Sequence, residues 1–158
     1  MAIKTAIVQK FKMAELAQQL NTTQDRIIEA ALNTLMYVGE QCIIQARDHG
    51  NYNDITGNLR SSIGYVVLRA GKIVQQATPK AYKGPKGDGS KGVSEGQLLL
   101  KRLAGDYPSG LVLIVTAGMN YAVYVEDLRH RDVLASSRLL AEKLVPELLE
   151  KIGLKKKK

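Results

Sequence analysis

Residues 22–48 carry Ile27, Ala31, Leu35, Val38, Cys42 and Ala46 at intervals of three and four, which lays one apolar stripe along a single long helix. At 1.5 Å per residue such a helix is about 40 Å long. A stripe of that length has to be covered, so the rest of the chain must supply a sheet, further helices or both. Thr22 and Asp25 have capping-box spacing at its start. His49-Gly50-Asn51 supplies the stop, with Gly50 able to take a positive φ. Ahead of it, Phe11, Ala14, Ala17 and Leu20 predict a separate short amphipathic helix over 11–20 that ends at Asn21.

Beyond the long helix the pattern changes. Thr56 predicts a second N-cap and a turn or two of helix, followed by a strand-like run over 63–68. Ala70-Gly71-Lys72 suits a hairpin loop, and residues 72–77 form the returning antiparallel strand. The stretch 78–96 holds Gly84, Gly87, Gly89, Gly92 and Gly96, Pro79 and Pro85, and Lys80, Lys83, Lys86 and Lys91. It reads as a flexible, basic, glycine-rich loop. Leu98, Leu99, Leu100 and Leu103 predict a helix over 94–104, and residues 111–117 a third strand. Tyr121, Tyr124, Val125 and Leu128 favour a short helix. A last helix over 132–152 carries Val133, Leu140, Leu144, Leu148 and Ile152, with Pro146 expected to kink it. The class is α+β: a small antiparallel sheet packed against a long N-terminal helix and a C-terminal helix.

The 158 residues, 45% of them apolar, suit one domain over 1–154 followed by a lysine tail, 155–158. The 23 basic and 15 acidic residues leave a formal charge of +8. Residues 1–50 are neutral, so the excess falls mainly in the 78–96 loop and the tail. That placement makes nonspecific contact with nucleic acid, or steering onto an acidic partner, an accessory property. Cys42 is the single cysteine, which excludes an internal disulfide and points to the cytosol. No apolar run approaches the roughly 20 residues of a membrane span, and residues 1–12 lack the apolar core of a secretory signal.

Few residues invite chemistry. Gly87, Gly89 and Gly92 spell G-x-G-x-x-G, but no strand leads into them and no βαβ unit surrounds them, so a nucleotide site is not expected. His49 and His130 are the only histidines, and Cys42 lies on the apolar stripe, where a thiol is buried and inert. Asp54, Glu126 and Asp127 are read as solvated or capping carboxylates. No catalytic residue, metal site or cofactor is expected, and no enzyme mechanism can be assembled. The main rival function is DNA recognition by a helix-turn-helix over residues 14–31, suggested by Ala17, Asn21 and Ile27. Its recognition helix would offer only Arg26 and Gln24, beside Asp25 and Glu29.

Two patches are more particular than composition requires, residues 46–63, which include Thr56-Gly57-Asn58-Leu59-Arg60-Ser61-Ser62-Ile63, and residues 117–126, which include Tyr121-Ala122-Val123-Tyr124-Val125-Glu126. Their order, between a long helix, a hairpin, a variable loop, a strand and a final helix, resembles the neck and tail-completion proteins of long-tailed bacteriophages, over roughly residues 25–150. Where that family continues with F-G-T, this chain has Asp127-Leu128-Arg129. The resemblance implies a structural virion or prophage protein that joins head and tail as a ring of six copies around the DNA channel, made in the host cytoplasm. Its partners would be itself and other junction or tail-tube proteins, with no membrane and no small-molecule substrate. Arg60, Tyr121, Tyr124 and Glu126 would lie near the assembly interface, Arg60 pointing outward and Tyr121, Tyr124 and Val125 forming a packed face.

Overall fold

The computed structural model describes residues 13–154. Helix α1, Met13–Asp48, runs unbroken through Asn21. The two expected helices are therefore one, as far as the described residues reach; Phe11 lies outside them. Thr22 does not cap a new helix. Its hydroxyl donates back to the Gln18 carbonyl, and that of Thr23 to Gln19, both at 2.9 Å. Those bonds keep both threonines inside a helix that passes through them. With no turn between 14 and 31, the helix-turn-helix geometry is absent there.

Next come α2, Asn58–Ser61, and strands β1, Ile63–Arg69, and β2, Lys72–Ala77. Then follow α3, Ser90–Ala104, β3, Leu111–Ala117, α4, Ala122–Asp127, and α5, Ala135–Lys151. The sheet is antiparallel with order β2-β1-β3. This is the expected α+β class, with a long N-terminal helix, a small antiparallel sheet and a C-terminal helix. The hairpin turns at Ala70 and Gly71, both at positive φ, and a bulge interrupts the β1–β2 register between Val67 and Leu68.

β1 is the centre of the molecule because both of its faces are covered. Ile63, Tyr65 and Val67 point to α1, where they meet Leu32, Leu35, Ile43 and Ala46. Val66 and Leu68 point the other way, to Leu100 of α3 and Ile114 of β3. That double burial is why 63–68 reads as a continuous apolar run. Each large side chain buried there contributes about 1.5–3 kcal/mol. Tyr65 is fully buried against Gly39, where a methyl would stand 2.6 Å from the ring, and its hydroxyl donates to Glu40 at 2.7 Å. α5 crosses α1, and Pro146 lies within it while the helix continues to Lys151.

Gly50 is not in the left-handed region. Instead it makes room for the Tyr52 ring, whose hydroxyl donates to the Ala46 carbonyl at 2.9 Å and closes the end of α1. The segment after β2 also departs from expectation, since α3 begins at Ser90 rather than at 94. Residues 82–92 are seated on α2 and on the turn before it. Lys86 N–H donates to Ile55 O at 2.9 Å, Tyr82 N–H to the Ser61 hydroxyl at 2.7 Å, and Gly92 N–H to Asn58 Oδ1 at 3.2 Å. The glycines serve this close approach, for a methyl at Gly87 would lie 2.6 Å from the Thr56 carbonyl.

Candidate assembly surface

The two patches singled out in the sequence meet in space. Leu59 of the first packs with Met119, Ala122 and Val133, joined by Tyr121 and Val125 of the second. Gly118 N–H donates to Ser62 O at 3.2 Å. Asp54 holds the first patch in shape: its carboxylate accepts from Leu59 N–H at 3.3 Å and Arg60 N–H at 2.8 Å, capping α2. Thr56, expected as the cap, accepts only a 3.4 Å contact from Asn58 N–H. A carboxylate two residues further upstream, reaching forward, satisfies the free amides better than the nearer hydroxyl does.

Arg60 does not point freely outward. It is half-buried with its guanidinium 5.6 Å from the centre of the Tyr82 ring, and buried Arg47 approaches the same ring at 5.7 Å. Arg47 also donates to Ile63 O at 2.5 Å and Thr78 O at 3.3 Å, tying α1 to the start of β1 and the end of β2. Sequence reasoning missed Arg47 and Tyr82. The only available signal was a charged residue beside an apolar helix stripe. Tyr52 shares this corner; burial pushes its phenol above the ordinary value, and the Arg60 contact opposes that.

Tyr121 is half-buried with its hydroxyl near Thr56 and Asp54; burial and then the Asp54 charge raise its pKa, which the Thr56 hydrogen bond opposes. It joins the two patches. Tyr124 does not belong to a packed face: it is exposed, as are Val123 and Leu128, and carries Arg129 over its ring at 5.7 Å. α4 is too short to bury both sides, so Tyr121, Ala122 and Val125 turn inward and the rest turn out. Glu126 is half-buried and accepts from Leu134 N–H at 3.2 Å, fixing the approach to α5. Asp132 caps α5 through Ser136 N–H at 3.0 Å. The capping roles expected of Asp54 and Glu126 are present. Lys80, Lys83, Lys86 and Lys91 are all exposed, on the loop and the start of α3.

Beside Glu126 lies an open groove of about 740 Å³ between α5 and β3. Its lining includes the apolar Leu113, Val115, Cys42, Leu134 and Leu139 and the acidic Glu126, Asp127 and Glu142. β3 is an edge strand, so the sheet ends at this groove.

The thiol and imidazole weighed in the sequence lie apart. The Cys42 thiol is buried, raised in pKa by that burial, and points at the Ser137 carbonyl at 3.4 Å. His49 follows seven residues later, about 10 Å along α1, too far to act as its base. At the glycine-rich pattern, Asn58 and Asp88 already take the amides of Gly92 and Ser90. Among the described residues no group of three or more histidine, cysteine or carboxylate side chains could hold a metal ion, and no helix is long and apolar enough to cross a membrane. Comparison with known protein families, curated proteins and solved structures finds no match.

Proposed function

We propose that the chain is a structural subunit of the head–tail junction of a long-tailed bacteriophage or prophage, a neck or tail-completion component that acts by ring assembly rather than catalysis. The observation that carries this reading is the convergence of its two family-like patches, some 60 residues apart in sequence, on one packed cluster beside an exposed apolar face. Residues that merely filled a core would not leave Val123 and Tyr124 of the six-residue α4, and Leu128 just after it, in water.

In this role the subunits form a ring, six in the assembled virion, after synthesis in the host cytoplasm, and meet other junction or tail-tube proteins. Tyr124 lies on the exposed surface, while Arg60, Tyr121 and Glu126 hold its supporting turns in place. Lys80, Lys83, Lys86 and Lys91 supply salt-sensitive contact with an acidic partner or with passing DNA.

Electron microscopy of virions carrying tagged chain tests the proposal. Label concentrated at the junction between head and tail is expected. Label absent from virions, in particles whose heads and tails join normally without the chain, overturns it.

A further inference from the structure

We propose that the free edge of β3, with the groove beside it, takes the free edge of β2 from a second copy of the chain, so that one sheet runs on through successive subunits. This rests on the self-assembly reading above and names the surfaces through which it occurs.

Two strand edges on one small sheet carry the proposal. Gly118 N–H donates to Ser62 O and Ala70 N–H to Gly110 O, which fixes the phase of the β1–β3 ladder: the even-numbered residues of β3 face β1. Leu113 and Val115 therefore aim their N–H and C=O away from β1, and among the described residues no backbone hydrogen bond outside the ladder reaches them. Odd-numbered residues of β1 serve β2 in turn, so Gln75 and Ala77 face β1 and Gln76 faces out. Edge strands normally carry charge, proline, a bulge or a cover that stops further pairing. Leu111–Ala117 has no charge and no proline, the composition of a strand with a neighbour on each side. β2 is guarded only by its bulge and by Lys72 at its start, and it exposes Ile73 and Val74 at 53% and 41%.

Shape and charge select the occupant. A groove bounded by a strand edge and a helix takes an extended segment, whose backbone completes the ladder while its side chains meet the groove lining. Among the described residues β2 and β3 are the two sheet edges. Pairing β3 with β3 of another copy would set the acidic linings of two grooves together, for Arg138 is held by Glu142 at 2.8 Å and leaves Glu126 and Asp127 negative. β2 brings the exposed cation Lys72 instead. β2 and β3 both run antiparallel to β1 and hence parallel to each other, so one copy's β2 laid beside the next copy's β3 continues the sheet in a single sense. Each copy then gives one edge and receives on the other, a heterologous contact of the kind that closes into a ring. Glu126 and Asp127 belong to α4, so the contact is continuous with the exposed apolar surface there.

Gln76→Pro in the full-length chain tests the pairing. Gln76 is exposed and its N–H faces away from β1, so proline there keeps the chain's own ladder while removing the outward donor and blocking the edge. With the fold checked by circular dichroism, Gln76→Pro is expected to weaken self-association in sedimentation by about tenfold or more. Gln76→Ala keeps the backbone donor and is expected to leave self-association nearly unchanged. In parallel, chain carrying the photo-reactive benzoylphenylalanine in place of Gln76, mixed with isotope-labelled native chain and irradiated, is expected to link to residues 111–117 of the labelled copy. Links confined to residues 72–77 of that copy, or to any segment other than 111–117, overturn the proposal, as does self-association undiminished by Gln76→Pro. Either result in a chain that still self-associates or enters virions refutes the strand pairing and leaves the ring standing. A chain that neither self-associates nor enters virions refutes both.

Discussion

Ser137 and Cys42 clasp each other where α5 crosses α1: the Ser137 hydroxyl donates to the Cys42 carbonyl at 2.8 Å, and the Cys42 thiol points back at the Ser137 carbonyl at 3.4 Å. Both residues are buried, and Ser137 is the only buried residue of α5. The contact works because both side chains are small. Ser137→Leu should force the helices apart and lower stability by about 2–3 kcal/mol, with the hydroxyl lost as well. Ser137→Ala should cost only about 1 kcal/mol. Urea unfolding of the two variants separates overpacking from hydrogen-bond loss; equal effects would mean that the crossing is loose.

Burial should also silence the thiol. Because desolvation raises the Cys42 pKa, native protein should react with a disulfide reagent at neutral pH far more slowly than protein in denaturant. A native rate equal to the unfolded rate would contradict the buried placement.

Two glycine substitutions should act in opposite directions. A methyl at Gly92 falls on the Asn58 backbone carbonyl, so Gly92→Ala should destabilise by about 2 kcal/mol or more even though helix propensity favours alanine by about 1 kcal/mol. Gly105 has φ −69° and its nearest contact would be ordinary, 3.4 Å from Arg102 O. Gly105→Ala should therefore stabilise by about 0.5 kcal/mol through the unfolded state. Thermal melts of both variants provide the check.

Tyr65 should make stability fall in strong base. Burial, then its hydrogen bond to Glu40, raises its pKa from 10.0 to about 12. The folded state thus favours the neutral phenol. Its contribution is complete below pH 10.0, the unfolded value, and is lost as pH rises through about 12. Tyr65→Phe should be less stable at neutral pH, by about 1 kcal/mol for the lost hydrogen bond, and should show a shallower decline in that window. Urea midpoints of both proteins measured across it decide; parallel declines would sink the assignment.

The two arginines over Tyr82 should not be equivalent. Arg47 is buried and donates to two carbonyls, so Arg47→Ala should cost about 3 kcal/mol. Arg60 is half-buried, and its ring contact makes Arg60→Ala cost about 1 kcal/mol. Chemical denaturation of the single variants tests the order.

Much of the secondary structure was legible because strand and helix periodicities are local. The hairpin over 63–77 and the strand over 111–117 follow directly from alternation, glycine placement and continuous apolar runs. The break at Asn21 was misread because Thr22 and Asp25 carry the chemistry of a cap, and whether a threonine hydroxyl caps or bonds backward depends on the chain in front of it. The glycines of 84–96 signalled freedom in sequence, whereas in the fold they admit neighbouring backbone. Of the candidate residues, Tyr124 was legible as a surface group only once α4 had a neighbour on one side.

Local chemistry by itself determined a long apolar helix stripe over 22–48, a β-hairpin, a further strand over 111–117 and basic residues gathered between 80 and 91, because periodicity and charge are written residue by residue. Tertiary structure decided the rest. It brought Leu59 to Met119 and Ala122, set Asp54 on the α2 amides, buried Arg47 beneath Tyr82, and left a groove beside β3 while the first part of α1 projects beyond the core. Those are contacts between distant segments, whose energy depends on a shape that no single stretch of sequence contains.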